Sequence, residues 1–151
     1  VAGARGGCAF CAIVRGDEKA DLVFEDELCL AFLDHRPLLG GHCLLVPRTH
    51  VETLPDLPDG LIAPLFGAAR LLSRAVQEAL EADGSFVAIN NTVSQSVPHL
   101  HVHVVPRWKR DGLFSPKLVW KRSPYRDERE RDSTAEKIRR AVLRLRDEGA
   151  A

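Results

Sequence analysis

No stretch of this 151-residue chain is apolar over the ~20 residues that a bilayer-spanning helix needs. Apolar runs such as residues 28–33 and 43–47 have the length of strands, so a soluble protein is expected. Net charge is also missing: 21 Lys and Arg balance 21 Asp and Glu, which argues against a protein that coats nucleic acid through bulk basicity. Residues 1–7 also have no long apolar run. Residues 1–7 hold one Arg among Gly and Ala and read as a short flexible tail rather than a signal peptide. Cysteines number four, too few to staple the fold, so Cys8-Ala-Phe-Cys11 points to metal or redox chemistry in a reducing compartment, and a cytoplasmic location is expected. With 45% hydrophobic and 28% charged residues and no repeat or low-complexity tract, the 16.7 kDa chain suits one ordinary domain.

Charge is unevenly placed although it sums to zero. Residues 107–148 hold fourteen Lys and Arg against eight Asp and Glu, while residues 1–106 hold seven against thirteen. The basic third suits either a polyanionic ligand or a solvated helix face laced with ion pairs. Residues 22–25 and 28–34, separated by an acidic turn, read as a hairpin, and residues 42–47 read as a buried third strand after the punctuation of Pro37, Gly40 and Gly41. Leu61, Leu65, Ala68, Leu72, Val76 and Leu80 recur at helical spacing up to Asp83-Gly84, with Pro64 near the start. Residues 85–90 and 99–105 are strand-like again. A last helix is predicted from Ser133 to about Asp147, with a capping box in Ser133-x-x-Glu136 and a stripe of Ile138, Val142 and Leu145. The order β-β-β-α-β-β-α with hairpin-length links predicts an antiparallel α+β domain. Residues 109–125, rich in Pro, Trp and basic side chains, form an irregular extension of the kind that covers a site.

Half of the six histidines fall within five residues, His99-Leu-His101-Val-His103. On a strand this alternation places three imidazoles on one face at about 6.7 Å spacing and sends Leu100, Val102 and Val104 into the core. Two chemistries suit such a triplet: a metal site with histidine ligands, or nucleophilic catalysis in which one imidazole attacks and another hydrogen-bonds the reacting group. Alternation alone does not separate them.

The segment His99-x-His101-x-His103-x-x followed by Pro106-Arg107, and preceded by Gln95-Ser96-Val97, resembles the histidine triad (HIT) family of nucleotide hydrolases and transferases. Cys8-Ala-Phe-Cys11-Ala-Ile-Val is similar to the metal motif of its bacterial zinc-containing branch. Ala31-Phe-Leu-Asp34 is similar to its ribose-binding segment, and Gly41-His-Cys-Leu-Leu-Val-Pro-Arg48-Thr-His50 to the strand that follows.

The resemblance implies a HIT-like fold, a five-stranded antiparallel sheet with one long helix and a C-terminal helix. It divides the chain into a tail (1–7), the HIT domain (8–107) and a basic C-terminal extension (108–151) whose helix packs on the same domain. It also implies that His101 is the nucleophile on the α-phosphate of a purine nucleotide and forms a nucleotidyl-imidazole. His103 would contact the phosphate or the bridging atom, with Ser96 and Gln95 stabilising developing charge. Asp34 would accept from the ribose hydroxyls, and Asn90, or its neighbour Asn91, would contact phosphate or leaving group. Cys8, Cys11, His50 and His99 would hold a structural zinc ion, the alternative being all four cysteines, although Cys29 and Cys43 lie in apolar strand runs. A homodimer joined edge to edge follows from the same resemblance. Phosphoramidates and dinucleoside polyphosphates are the expected substrates. A nucleotide-binding regulatory module with little turnover is the main alternative, and a hydrolase with a catalytic ion on the three histidines is a third. Two features depart from the family pattern. The loop 91–95 is short and has Ser94 where glycine is usual, and Trp108 and Trp120 fall outside the resemblance, where either could stack a second base or fill space.

Overall fold

The computed structural model describes residues 7–115 and 122–149. Residues 1–6 of the expected tail, and Trp120, lie outside the described residues. The elements run α1 (Ala9–Arg15), β1 (Leu22–Glu25), β2 (Cys29–Leu33), β3 (Cys43–Pro47), a 3-10 turn (Leu54–Asp56), α2 (Asp59–Ala79), β4 (Gly84–Ile89), β5 (Val102–Arg107) and α3 (Glu128–Gly149). The strands form one antiparallel sheet in the order β1-β2-β3-β5-β4.

Every residue of β2 and β3 is buried, because both faces of the sheet are covered where these strands lie. On one face Cys29, Ala31, Leu33, Cys43, Leu45, Val102 and Val104 meet Leu65, Leu72 and Val76 of α2 and Ile138, Val142 and Leu145 of α3. Each fully buried leucine or isoleucine there contributes about 1.5–3 kcal/mol of burial free energy. On the opposite face Leu30, Phe32, Leu44 and Val46 pack against Cys8, Phe10 and Cys11. The period-2 alternation of β5 therefore turns Val102 and Val104 to the helices and His103 to the α1 side.

Four boundaries differ from the sequence expectation, each for a local reason. Helix α1 is too short for a periodic signal. Its marks are Cys8, whose sulfur accepts the Cys11 N–H, and Gly16, a left-handed C-cap at φ 81°. Helix α2 begins at Asp59 and carries Pro64 internally, where the ring removes one early hydrogen bond. Helix α3 begins at Glu128 rather than Ser133, because Asp127 accepts the Glu130 N–H at 2.8 Å while the Glu130 carboxylate accepts the Arg126 N–H at 2.6 Å. Glu136, the other half of the expected capping box, instead pairs with Arg139 and Arg140. Strand β5 begins at Val102, not His99: the His99 N–H is donated to Val97 O and the Leu100 N–H to Val51 O, so His99 and His101 approach the site from a loop.

The chain after residue 121 lies on the loop between β2 and β3. Ser123 N–H donates to Pro37 O at 2.8 Å, and Gly41 N–H donates to the Tyr125 hydroxyl at 3.0 Å. Gly41 has φ 97°, and a Cβ there would run into Leu80 Cδ1 and lie 3.1 Å from Pro106 Cγ. The leucine tip can rotate away, but the left-handed backbone cannot relax without moving the loop. Gly41→Ala is accordingly expected to cost about 1–3 kcal/mol in urea unfolding. An unchanged unfolding midpoint would show that this turn accepts a side chain.

Candidate functional site

Two histidine environments meet on the α1 face of the sheet. In the first, Cys8, Cys11, His50 and His99 offer ligand atoms that all lie within 4.8 Å of one another. Cys11 Sγ is 3.2 Å from His50 Nδ1 and 3.5 Å from His99 Nδ1, and Cys8 Sγ is also 3.5 Å from His99 Nδ1. The edges of a zinc tetrahedron built from thiolates and imidazoles are about 3.3–3.8 Å, so this donor set fits the ion with only a small adjustment. His99 Nε2 donates to Pro47 O at 2.9 Å, which leaves Nδ1 as the lone-pair nitrogen facing the sulfurs. Burial, together with the neighbouring Cys8, pushes the Cys11 thiol up to about 11, so a bound cation is what would draw off its proton. Cys29 and Cys43 take no part: both are free, buried in the helix-side core and raised by burial, Cys29 to about 11.

The second environment is a chain of imidazoles. The Leu38 N–H donates to His42 Nδ1 at 3.1 Å, and His42 Nε2 lies 2.9 Å from His103 Nδ1. Burial holds both rings neutral, pulling His42 down to about 2 and His103 to about 4, with each repelling the other's charge or that of His101. A neutral His42 that accepts on Nδ1 must donate from Nε2, and a neutral His103 that accepts on Nδ1 must carry its proton on Nε2. That Nε2 is buried and has no partner among the described residues. The 3.7 Å approach of Asp34 Oδ2 to His42 Nδ1 is therefore no ion pair.

His101 stands between these environments. Its Nδ1 lies 2.7 Å from His99 O and can only donate there, so Nε2 carries the lone pair. Burial lowers its pKa, opposed by the bond to the His99 carbonyl and the charge of Asp34. The ring meets Phe10 edge-on at 5.1 Å between centroids and His103 edge-on at 5.0 Å.

A cavity of about 430 Å3 opens beside His103, lined by Leu38, His42, Asn90, Ser94, Ser96, His103 and Arg122. A second cavity of about 360 Å3 lies beyond Asp34, walled by Phe10, Ile13, Phe32 and Leu44. Asn90, not Asn91, faces the first cavity; Asn91 Oδ1 accepts the Leu54 N–H at 2.7 Å. Gln95, expected beside Ser96, is not among the lining residues. It braces the loop, accepting the Thr92 N–H at 2.8 Å and donating to Glu52 O at 2.6 Å. Ser94 has φ 61°, the left-handed conformation that explains why glycine is the usual occupant. Trp108 is tied to Glu81 O at 3.2 Å, away from both cavities.

His42 was not singled out from sequence, although it precedes β3 in the segment compared with the family. A lone His-Cys pair carries no pattern of its own, and only the fold shows that it meets His103. His42→Ala is expected to release His103 Nδ1 and reduce turnover about 10–100-fold, with His42→Gln restoring part of it. Equal, wild-type-like turnover in both variants would show that His103 does not depend on its contact with His42.

A family model described as the HIT domain matches residues 15–110. The chain belongs to the HIT family. Adenylylsulfatase HINT3 of Arabidopsis thaliana is 32% identical over 143 residues, covering 93% of this chain and 72% of that protein. The asymmetrical bis(5'-nucleosyl)-tetraphosphatase of Schizosaccharomyces pombe is 33% identical over 94 residues, 61% of this chain and 52% of that one. A Zn-bound histidine triad family protein from Mycobacterium smegmatis superposes with a TM-score of 0.78 at 38% identity, covering 93% of this chain and 96% of that one. The five-stranded antiparallel α+β architecture is thus the HIT fold, and Cys8, Cys11, His50 and His99 form a cluster able to hold a metal ion. No helix among the described residues is long and apolar enough to cross a membrane.

Proposed function

We propose that this HIT protein is a nucleotide hydrolase or nucleotidyl transferase that forms a covalent intermediate on His101. The observation that carries this reading is the tautomer pattern: His101 presents an unprotonated Nε2 while His103, one ring away, presents an unpartnered Nε2–H. The first is a nucleophile and the second a donor for a developing negative charge. The names of two relatives, an adenylylsulfatase and a tetraphosphatase, support scission at a nucleotide phosphate.

The apolar cavity beside Asp34 takes the purine nucleoside, with the Asp34 carboxylate accepting from the ribose hydroxyls. This sets the α-phosphate over His101 and the leaving group in the cavity of Asn90, Ser94 and Ser96. The Nε2 electron pair of His101 forms an N–P bond, and the bond from phosphorus to the leaving group breaks. His103 Nε2–H and the Ser96 hydroxyl hydrogen-bond the atoms that gain charge, while Gln95 holds their loop in place. Water or another acceptor then displaces His101. Zinc on Cys8, Cys11, His50 and His99 would be closed to substrate and would fix the backbone carbonyl of His99 that orients the nucleophile.

Incubation with adenosine phosphoramidate, adenosine 5'-phosphosulfate and diadenosine tetraphosphate, each separated chromatographically, should yield AMP. Appearance of ADP and ATP from the last only with added phosphate would identify phosphate as the acceptor. AMP binding with no product from any of the three would overturn the enzymatic reading in favour of a binding module. Because burial sets the His101 pKa below the ordinary 6.5, the nucleophile stays neutral as pH falls through that value. The acid limb of kcat/KM should therefore lie below pH 6.5, and a limb above it would contradict the buried, neutral imidazole.

A further inference from the structure

Arg122 belongs to the extension after β5 yet reaches the rim of the site. Its Nη1 donates to Asp34 Oδ2 at 3.1 Å and to Arg36 O at 2.7 Å, and its side chain lines the same cavity as His42, His103, Asn90, Ser94 and Ser96. Its charge is near enough to help hold both His42 and His103 neutral. The bonds Ser123–Pro37 and Tyr125–Gly41 fasten the following residues to the loop, so the guanidinium is held at the mouth of the cavity rather than swinging free.

Resting on the nucleotidyl-transfer reading, we propose that Arg122 is a specificity-determining residue that binds an anionic, oxygen-rich leaving group. Three observations converge. The seven lining residues include no Asp or Glu, whereas they offer a guanidinium, an imidazole N–H, an amide and two hydroxyls. Among the described residues Arg122 bonds only through Nη1, so Nε and Nη2 remain as a planar fork suited to two oxygens of a phosphate or sulfate. Its present carboxylate partner is the group assigned to the ribose, so nucleoside hydroxyls on Asp34 loosen the pair and leave the guanidinium to the leaving group.

The chemistry gives this a direction. When His101 Nε2 bonds to phosphorus, the electron pair of the breaking P–O bond goes to the bridging oxygen. A polyphosphate or sulfate then leaves as an anion with a cation beside it. A phosphoramidate nitrogen must take up a proton to leave and gains nothing from Arg122. Water afterwards adds hydroxide to phosphorus, returns the electron pair to Nε2 and gives its other proton to solvent.

The test compares substrates that share the AMP half. In Arg122→Ala the ratio of kcat/KM for diadenosine tetraphosphate, or for adenosine 5'-phosphosulfate, to that for adenosine phosphoramidate should fall about 10–100-fold. Arg122→Lys should recover part of the loss, and the substrate with the larger drop identifies polyphosphate or sulfate as the fitted group. An unchanged ratio, or equal loss on all three, overturns the proposal and leaves Arg122 as a tether. Calorimetric binding of inorganic pyrophosphate and of sulfate to the AMP-loaded protein reads the site without turnover. At least tenfold weaker binding of either anion in Arg122→Ala supports the anion site even if no substrate is cleaved. Failure of the wild-type protein to bind either anion overturns it whatever is hydrolysed.

Discussion

Replacing His101 with alanine is expected to reduce kcat on the order of 10^4-fold or more while the metal content and the far-ultraviolet spectrum persist. Removing a nucleophile removes the intermediate itself, and nothing nearby can replace it. His103 has its lone pair on Nδ1 committed to His42, and His99 faces the cysteines and Pro47. The fold is expected to tolerate the change because His101 lies outside the β5 ladder and, among the described residues, its ring hydrogen-bonds only a neighbouring carbonyl. By contrast, His103→Ala keeps the nucleophile and loses a donor to developing charge, an effect of about 10^2–10^3-fold. Steady-state kinetics on any substrate that the wild-type protein cleaves distinguishes these cases. Turnover of His101→Ala within tenfold of wild type would exclude covalent catalysis by this residue.

Removing the zinc proposed for Cys8, Cys11, His50 and His99 is expected to act on the fold before the chemistry. Cys8 and Cys11 tie α1 to His50 and His99, and α1 carries Phe10, which packs on Phe32 at 5.3 Å and on His101. Without the ion, two buried thiols and two imidazoles lose their common partner, and the short helix loses its main anchor. A structural zinc contributes folding free energy directly, so a melting temperature lower by about 10 °C or more is expected after chelation, with Cys8→Ser behaving alike. Activity should decay with the slow loss of structure. Instant inhibition at an unchanged melting temperature would instead place an accessible, catalytic ion at the histidines.

How much of this was legible in the sequence depended on whether the signal was local. The strands and long helices follow from apolar runs and helical spacing, as with Leu65, Leu72 and Val76, and the four-residue metal cluster was reached through resemblance on Cys8, Cys11, His50 and His99. Alternation places the triplet on one strand face, whereas the chain divides it. His99 turns its Nδ1 to the cysteines and His101 bonds the carbonyl of His99, an arrangement set by tertiary contacts with Pro47 and Val51. Alternation carries no information on tautomers, so the choice between metal and phosphorus chemistry lay beyond it. His42 and Arg122 were invisible for a related reason. Each acts across a long sequence separation, on His103 and Asp34 respectively, and neither belongs to a local pattern. Gln95 shows the reverse, a residue placed by its neighbours in sequence but drawn away by Thr92 and Glu52.

In the proposed reaction His101 attacks phosphorus and is itself displaced. Each in-line displacement inverts the configuration at phosphorus. A substrate made chiral at its α-phosphorus, with the acceptor distinguished by isotope, therefore reports the number of displacements. Covalent catalysis through His101 predicts overall retention. Overall inversion would mean a single direct attack by the acceptor and would contradict the account.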